Sequence, residues 1–222
     1  MTKKKIVTLA LAAVIAVMAI AGASLAYFTD TKNAENTFTM GNVKITLDET
    51  DITDPEGDRV TSNEYGIEDV YPGAELVKDP TVHNVGKNSA YVRAIVTIEN
   101  GMNWLGLYNE NVWTAPQEEA FIALINDSLG DGWEIADIAY VRNAERGTTD
   151  FVATLKYTEV LASGEDTTAM FSEVKIPEKV TENDITTRIS QDGTFHIDVT
   201  AQAIQTNGFA TWEDAFAAFD GN

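Results

Sequence analysis

The chain contains no cysteine, so disulfide stapling and thiol chemistry are both closed to it, and stability must come from a core, from partners or from a metal. Histidine is almost as scarce: His83 and His196 are the two present. No His-Glu-x-x-His helix occurs, which removes the usual metalloprotease geometry, and no Gly-x-Ser-x-Gly elbow occurs either. Basic side chains number 15 against 35 acidic ones, for a net charge of −20. A surface of that sign repels nucleic acid and anionic membranes, so nucleic-acid binding is excluded as a function class. Repeats and domain linkers are also missing. The aromatic and β-branched content nevertheless argues against a disordered chain.

What is present begins with a secretory address. Lys3, Lys4 and Lys5 form a basic start, residues 6–23 carry no charge, and Ser24 and Ala26 are the small residues of a signal peptidase site. The reading is a signal peptide over 1–26, cleaved before Tyr27; the alternative is a retained anchor, since the uncharged run could just span a bilayer. Cleavage leaves one domain over 27–222, and its 12 basic against 35 acidic side chains give −23. Residues 27–36 would then be a free, extended, partly apolar segment, with no local hairpin signal folding it back.

Strand patterns fill most of the rest. Val43, Ile45 and Leu47 alternate with Lys44 and Thr46, which gives one buried and one wet face. Tyr71-Pro72-Gly73 is a turn, and Leu76 to His83 resumes an extended run with Pro80 at an edge or bulge. A hairpin-like connection over 84–88 leads into Ala90 to Glu99, apolar on both faces and therefore central. Glu134 to Arg142, Phe151 to Leu161, Val174 to Ile176 and the segment from Phe195 to Ala203 are further strands. Thr114, Pro116 and Gln117 start a helix within an insertion over about 101–130, and Thr211 caps a second one carrying Trp212, Ala215, Phe216 and Phe219. The fold class is all-β: a jelly-roll-like antiparallel sandwich with a helical insertion and a C-terminal helix, preceded by the signal helix.

Three stretches offer ligand chemistry, each with a structural counterpart. Nine carboxylates between Asp48 and Asp69 could supply oxygen ligands for calcium, but the spacing is not that of an EF-hand loop and a solvated loop accounts for it. His83 and His196 would form a metal site if a sheet brought them together; otherwise they are half-exposed strand residues. Trp104, Trp113, Phe121 and Trp133 fit either a sugar platform or the core of the insertion. No catalytic residue and no cofactor is assigned.

Ala26-Tyr27-Phe28-Thr29-Asp30, Asn36-Thr37-Phe38 and the run from Gly41 to Leu47 resemble the start of exported proteins with a SipW-type signal peptide, the TasA/camelysin family of Gram-positive bacteria. The stretches from Val70 to Gly73, from Asp79 to Gly86 and from Ala90 to Ala94 add to the likeness, as does the run from Ala203 to Phe209. The resemblance implies a secreted subunit of an extracellular, biofilm-matrix fibre, at the matrix or cell surface, with contact to the membrane only before cleavage. It implies a dedicated signal peptidase as one partner and copies of itself, head to tail, as another, with an accessory matrix subunit as a third. Polymerisation would proceed by donor-strand exchange, with residues 27–36 as donor and Tyr27 and Phe28 as anchors. A camelysin-like surface metallopeptidase is the second reading, and a monomeric adhesin using the tryptophans is the third.

Overall fold

The strand that is apolar on both faces sits where such a strand belongs. β5 (Ala90–Ile98) lies in the middle of a five-stranded antiparallel sheet, in the order β1 (Thr29–Lys32), β9 (Ile197–Gln205), β5, β7 (Thr148–Tyr157) and β6 (Trp133–Asn143). The structure is a computed structural model describing residues 29–32, 43–51, 54–61, 71, 73–101, 103, 127–145, 147–175 and 196–221. The inner face of this sheet is built from Val92, Ala94, Val96, Phe151, Ala153, Leu155, Ala201 and Ala203, all buried. Many of them are alanines, which lets the second layer approach closely.

That second layer is carried by β2 (Ile45–Asp48) and β4 (Thr81–Asn84), paired antiparallel. On the other side of β4 the segment 165–170 adds main-chain bonds: Asn84 N–H to Glu165 C=O at 2.9 Å, Thr167 N–H to Val82 C=O at 2.8 Å and Met170 N–H to Pro80 C=O at 2.9 Å. Val43, Ile45, Val82, Leu161, Met170 and Phe171 face the large sheet and complete one core. Each fully buried side chain of this kind contributes about 1.5–3 kcal/mol. A small third pair, β3 (Glu75–Val77) with β8 (Glu173–Lys175), forms a separate ladder whose Val174 packs against the core. The fold is the all-β sandwich expected from the sequence.

Two local expectations are corrected. The extended run from Leu76 to His83 is two strands in different sheets, divided at buried Pro80, which cannot donate to a ladder. Residues 85–89 do not close a hairpin either, because β4 and β5 belong to different layers. Asn84, almost fully buried, organises that crossover: its side chain donates to the carbonyls of Asn88 and Leu161 and accepts from Gly86 N–H. The turn at Tyr71 forms as read, with Ala74 N–H donating to Tyr71 C=O at 3.0 Å and Gly73 at φ 80°.

The C-terminal helix α1 (Trp212–Asp220) lies on the outer face of the large sheet. Thr211 caps it by accepting from Asp214 N–H at 3.1 Å, and Glu213 and Asp214 suit the positive end of its dipole. Ala215 and Phe216 pack on Ile204 of β9, and Trp212 Nε1 donates to Val92 C=O at 2.8 Å. Of the expected insertion, Gly101, Asn103, Asp127 and Ser128 are helical, while Thr114, Trp104, Trp113 and Phe121 lie outside the described residues.

Candidate functional site: an edge strand and its acceptor

β1 occupies the edge of the large sheet next to β9, with Thr29 opposite Ile204, Asp30 opposite Ala203, Thr31 opposite Gln202 and Lys32 opposite Ala201. The expectation of a free N-terminal segment is therefore corrected within the chain. Its partner residues lie 169 to 175 positions away, a distance at which hairpin signals carry no information. Ser24, Ala26, Tyr27, Phe28 and residues 33–36 lie outside the described residues, so the cleavage site and the two aromatic anchors have no structural account here.

The acceptor stretch, Ala201 to Ile204, is what reasoning from the sequence missed. Strand alternation places Ala201 and Ala203 in the core, and both are fully buried. Gln202 and Ile204, which alternation alone would leave wet, are buried as well, because α1 covers that face. The apolar Ile204 at a nominally polar position, followed by an aromatic helix, was the available signal. β9 runs for nine residues and β1 pairs with four of them.

The two histidines are not brought together. His83, on β4, is held between carboxylates on opposite sides of its ring: Nδ1 is 2.7 Å from Asp166 Oδ1 and Nε2 is 2.8 Å from Asp48 Oδ2. Partial burial works against the charged ring, but the hydrogen bonds and charges of Asp48 and Asp166 outweigh it and raise its pKa above the ordinary 6.5. His196 is exposed just before β9, its Nε2 4.0 Å from Glu99 Oε2, and its carbonyl accepts from Glu99 N–H past the Ile98 end of β5. His83 sits in the other layer, beside the turn that enters β5 at Ala90.

The acidic loop is tied down by its lone cation. Arg59 is the one basic residue between Asp48 and Asp69, and that isolation was the sequence signal for it. Its guanidinium reaches Asp48 Oδ1 at 2.5 Å and Asp79 Oδ2 at 2.7 Å, and it donates to both residues' main-chain carbonyls. Partial burial would push the Asp79 carboxyl upward, yet hydrogen bonds from Thr50 and Arg59 hold it below the usual range. Asp54, Glu56 and Asp58 stay exposed around the turn closed by Gly57 N–H and Asp54 C=O.

These positions set the ligand question. Asp48 and Asp166 approach His83 from different ring nitrogens, so the three cannot converge on one ion. Among the described residues no group of three or more His, Cys, Asp or Glu side chains is arranged to hold a metal. The described residues thus do not fit a peptidase-type metal centre. Trp133, by contrast, has a plain role in the core: it is buried, packs on Tyr157 at 5.1 Å between ring centroids, and donates Nε1–H to Thr168 C=O.

Residues 1–97 match the family described as Camelysin metallo-endopeptidase. No curated protein and no solved structure matches the chain.

Proposed function

We propose, from the match of residues 1–97 to the camelysin family model and the resemblance of the chain to TasA/camelysin proteins, that this chain is an exported structural subunit of an extracellular fibre and polymerises by exchanging its N-terminal strand. The observation that carries the reading is the place of β1. It fills a sheet edge through four register pairs to β9, and it belongs to the segment that signal cleavage at Ala26 would make the new N-terminus. An identical strand from a second copy satisfies the same edge with the same pairs, so moving from the closed to the exchanged form sacrifices no sheet pairing. The closed form is favoured by the short chain joining β1 to β2, and the exchanged form by concentration and by Tyr27 and Phe28 as anchors. Each copy donates forward and receives behind, and that head-to-tail contact grows into a filament when it does not close into a ring.

Deletion of Tyr27 to Asn36 tests it. The truncated chain should remain a soluble monomer, and electron microscopy should find no fibres where the intact processed chain forms them. A synthetic peptide of residues 27–36 should bind the truncated chain and leave the intact one alone. Normal fibres from the truncated chain would sink the proposal.

A further inference from the structure

We infer that helix α1 is a splint for the acceptor edge, holding through Arg93 the same stretch of β9 that receives the N-terminal strand. β1 pairs with Ala201 to Ile204. Two of these four residues face outward; the helix packs on one and is linked to the other through Arg93. Ile204 is buried against Ala215 and Phe216. Gln202 accepts from Arg93 Nε at 2.5 Å, and Arg93 sends its two terminal nitrogens to the carboxylate of Asp220 at 2.7 and 2.6 Å. The guanidinium also lies over Phe216, 4.5 Å from the ring centroid.

This contact is costly for the helix taken alone. Asp220 stands in the last turn, where the dipole disfavours a carboxylate, and no basic residue in that turn offsets it. Its compensation lies outside the helix, in Arg93, whose side chain is 10% exposed. Undocking the helix breaks this bidentate, charge-assisted pair and the ring contact together, so Arg93 favours the docked helix. The other end of the helix is held over a different strand: Glu213 reaches Lys156 at 2.7 Å, on β7 and away from β9, its carboxylate being about as exposed as that of Asp220, at 62% against 57%. The Arg93 end is therefore the one that bears on the edge. Arg93 acts here as a positioning residue, and the docked helix keeps the β9 edge ordered for whichever strand fills it. That consequence for exchange rests on the function proposed above; the splint itself does not.

Hydrogen exchange on the purified monomeric protein tests the inference. Asp220→Asn keeps the size and removes the charge. It should raise amide exchange over 29–32 and 201–204 roughly tenfold and leave amides over 150–156 in β7 unchanged. Asp220→Glu, which restores a carboxylate, should recover slow exchange, and Glu213→Gln should leave the edge as it was. Unchanged exchange at the edge in Asp220→Asn, a uniform rise across the sheet, or an equal effect of Glu213→Gln would each overturn the splint. Selective loosening in a protein that makes no fibres would keep this inference and defeat the proposed function. Fibres without selective loosening would do the reverse.

Discussion

The two ends of the large sheet are built on opposite principles. β6 has eleven residues and meets β7 at ten register positions, joined to it by a tight turn in which Gly147 has φ 72°. Its pairing is interrupted by a bulge between Ile135 and Asp137, and it carries Glu134, Asp137 and Arg142 as exposed charges. Bulges and charges are the standard devices that keep a strand from recruiting another chain. β1 has four residues, four register pairs and no turn to its partner. Its attachment is main-chain pairing across a large sequence separation, which any chemically identical strand can replace. One end of the sheet is thus fixed by a long local pairing, and the other is held by a short, non-local one. The proposed exchange draws on the end where pairing is short and non-local.

The largest effect should come from removing the N-terminal strand. Under the proposed exchange, the chain lacking Tyr27 to Asn36 would receive a donor strand and have none to give, so it should act as a chain terminator. Added to intact protein at a tenth of its concentration, it should shorten fibres seen by electron microscopy; unaltered lengths would mean that the β9 edge is not the growth site. The fixed end should behave in the opposite way. Trp133→Ala removes a buried ring that packs on Tyr157 and bonds Thr168, and should cost about 3–5 kcal/mol of stability by chemical denaturation. If the Trp133 variant is as stable as the parent while the truncation unfolds, the contrast between the two ends is reversed.

This contrast explains what the sequence disclosed. The centrality of β5, the alternation of β7 and β9 and the cap at Thr211 were legible, because period-2 patterns and capping residues are local signals. The partner of β1 was not, since nothing in Thr29 to Lys32 specifies Ala201 to Ile204. Nor was the burial of Arg93, which alternation places on a face that would be wet but for a helix more than a hundred positions later. His83 was singled out as a possible ligand because histidine is rare here. Its use as a link between two carboxylates depends on the layer that Asp166 joins from far along the chain. The misread connection at 84–88 has a similar origin: turn residues announce a reversal without saying which sheet the chain rejoins.

Charge should move the rate of assembly by a smaller factor. With −23 on the processed chain, approach of one copy's donor to another's edge is opposed by like charge, and salt screens such repulsion beyond about 8 Å at physiological strength. Assembly followed by light scattering should be several-fold faster at moderate than at low salt, and faster at mildly acid pH than at pH 8. Because the repulsion acts on encounter and not on pairing, amide exchange at either end of the monomer's sheet should stay the same across these conditions. A salt effect on β1 exchange in the monomer would place the charge effect in the slot itself.

The smallest effect concerns the layer opposite both ends. His83 joins Asp48 of β2 to Asp166 beside β4, with Arg59 on the other oxygen of Asp48. Its folded pKa is raised, so the protonated ring contributes stability in full below the unfolded value of about 6.5, and that contribution is lost as pH rises through the folded value. The neutral ring donates to one carboxylate and turns a lone pair toward the other, which loosens one of the two contacts. Raising pH from 6 through the folded value should therefore lower stability in denaturation experiments, and His83→Gln should flatten that part of the profile. The loss arises in the second layer, so it should lower global stability without changing the ratio of exchange rates between β1 and β6. A pH-dependent release of β1 alone, abolished by His83→Gln, would instead connect this histidine to the replaceable edge and would break the separation drawn between the two ends.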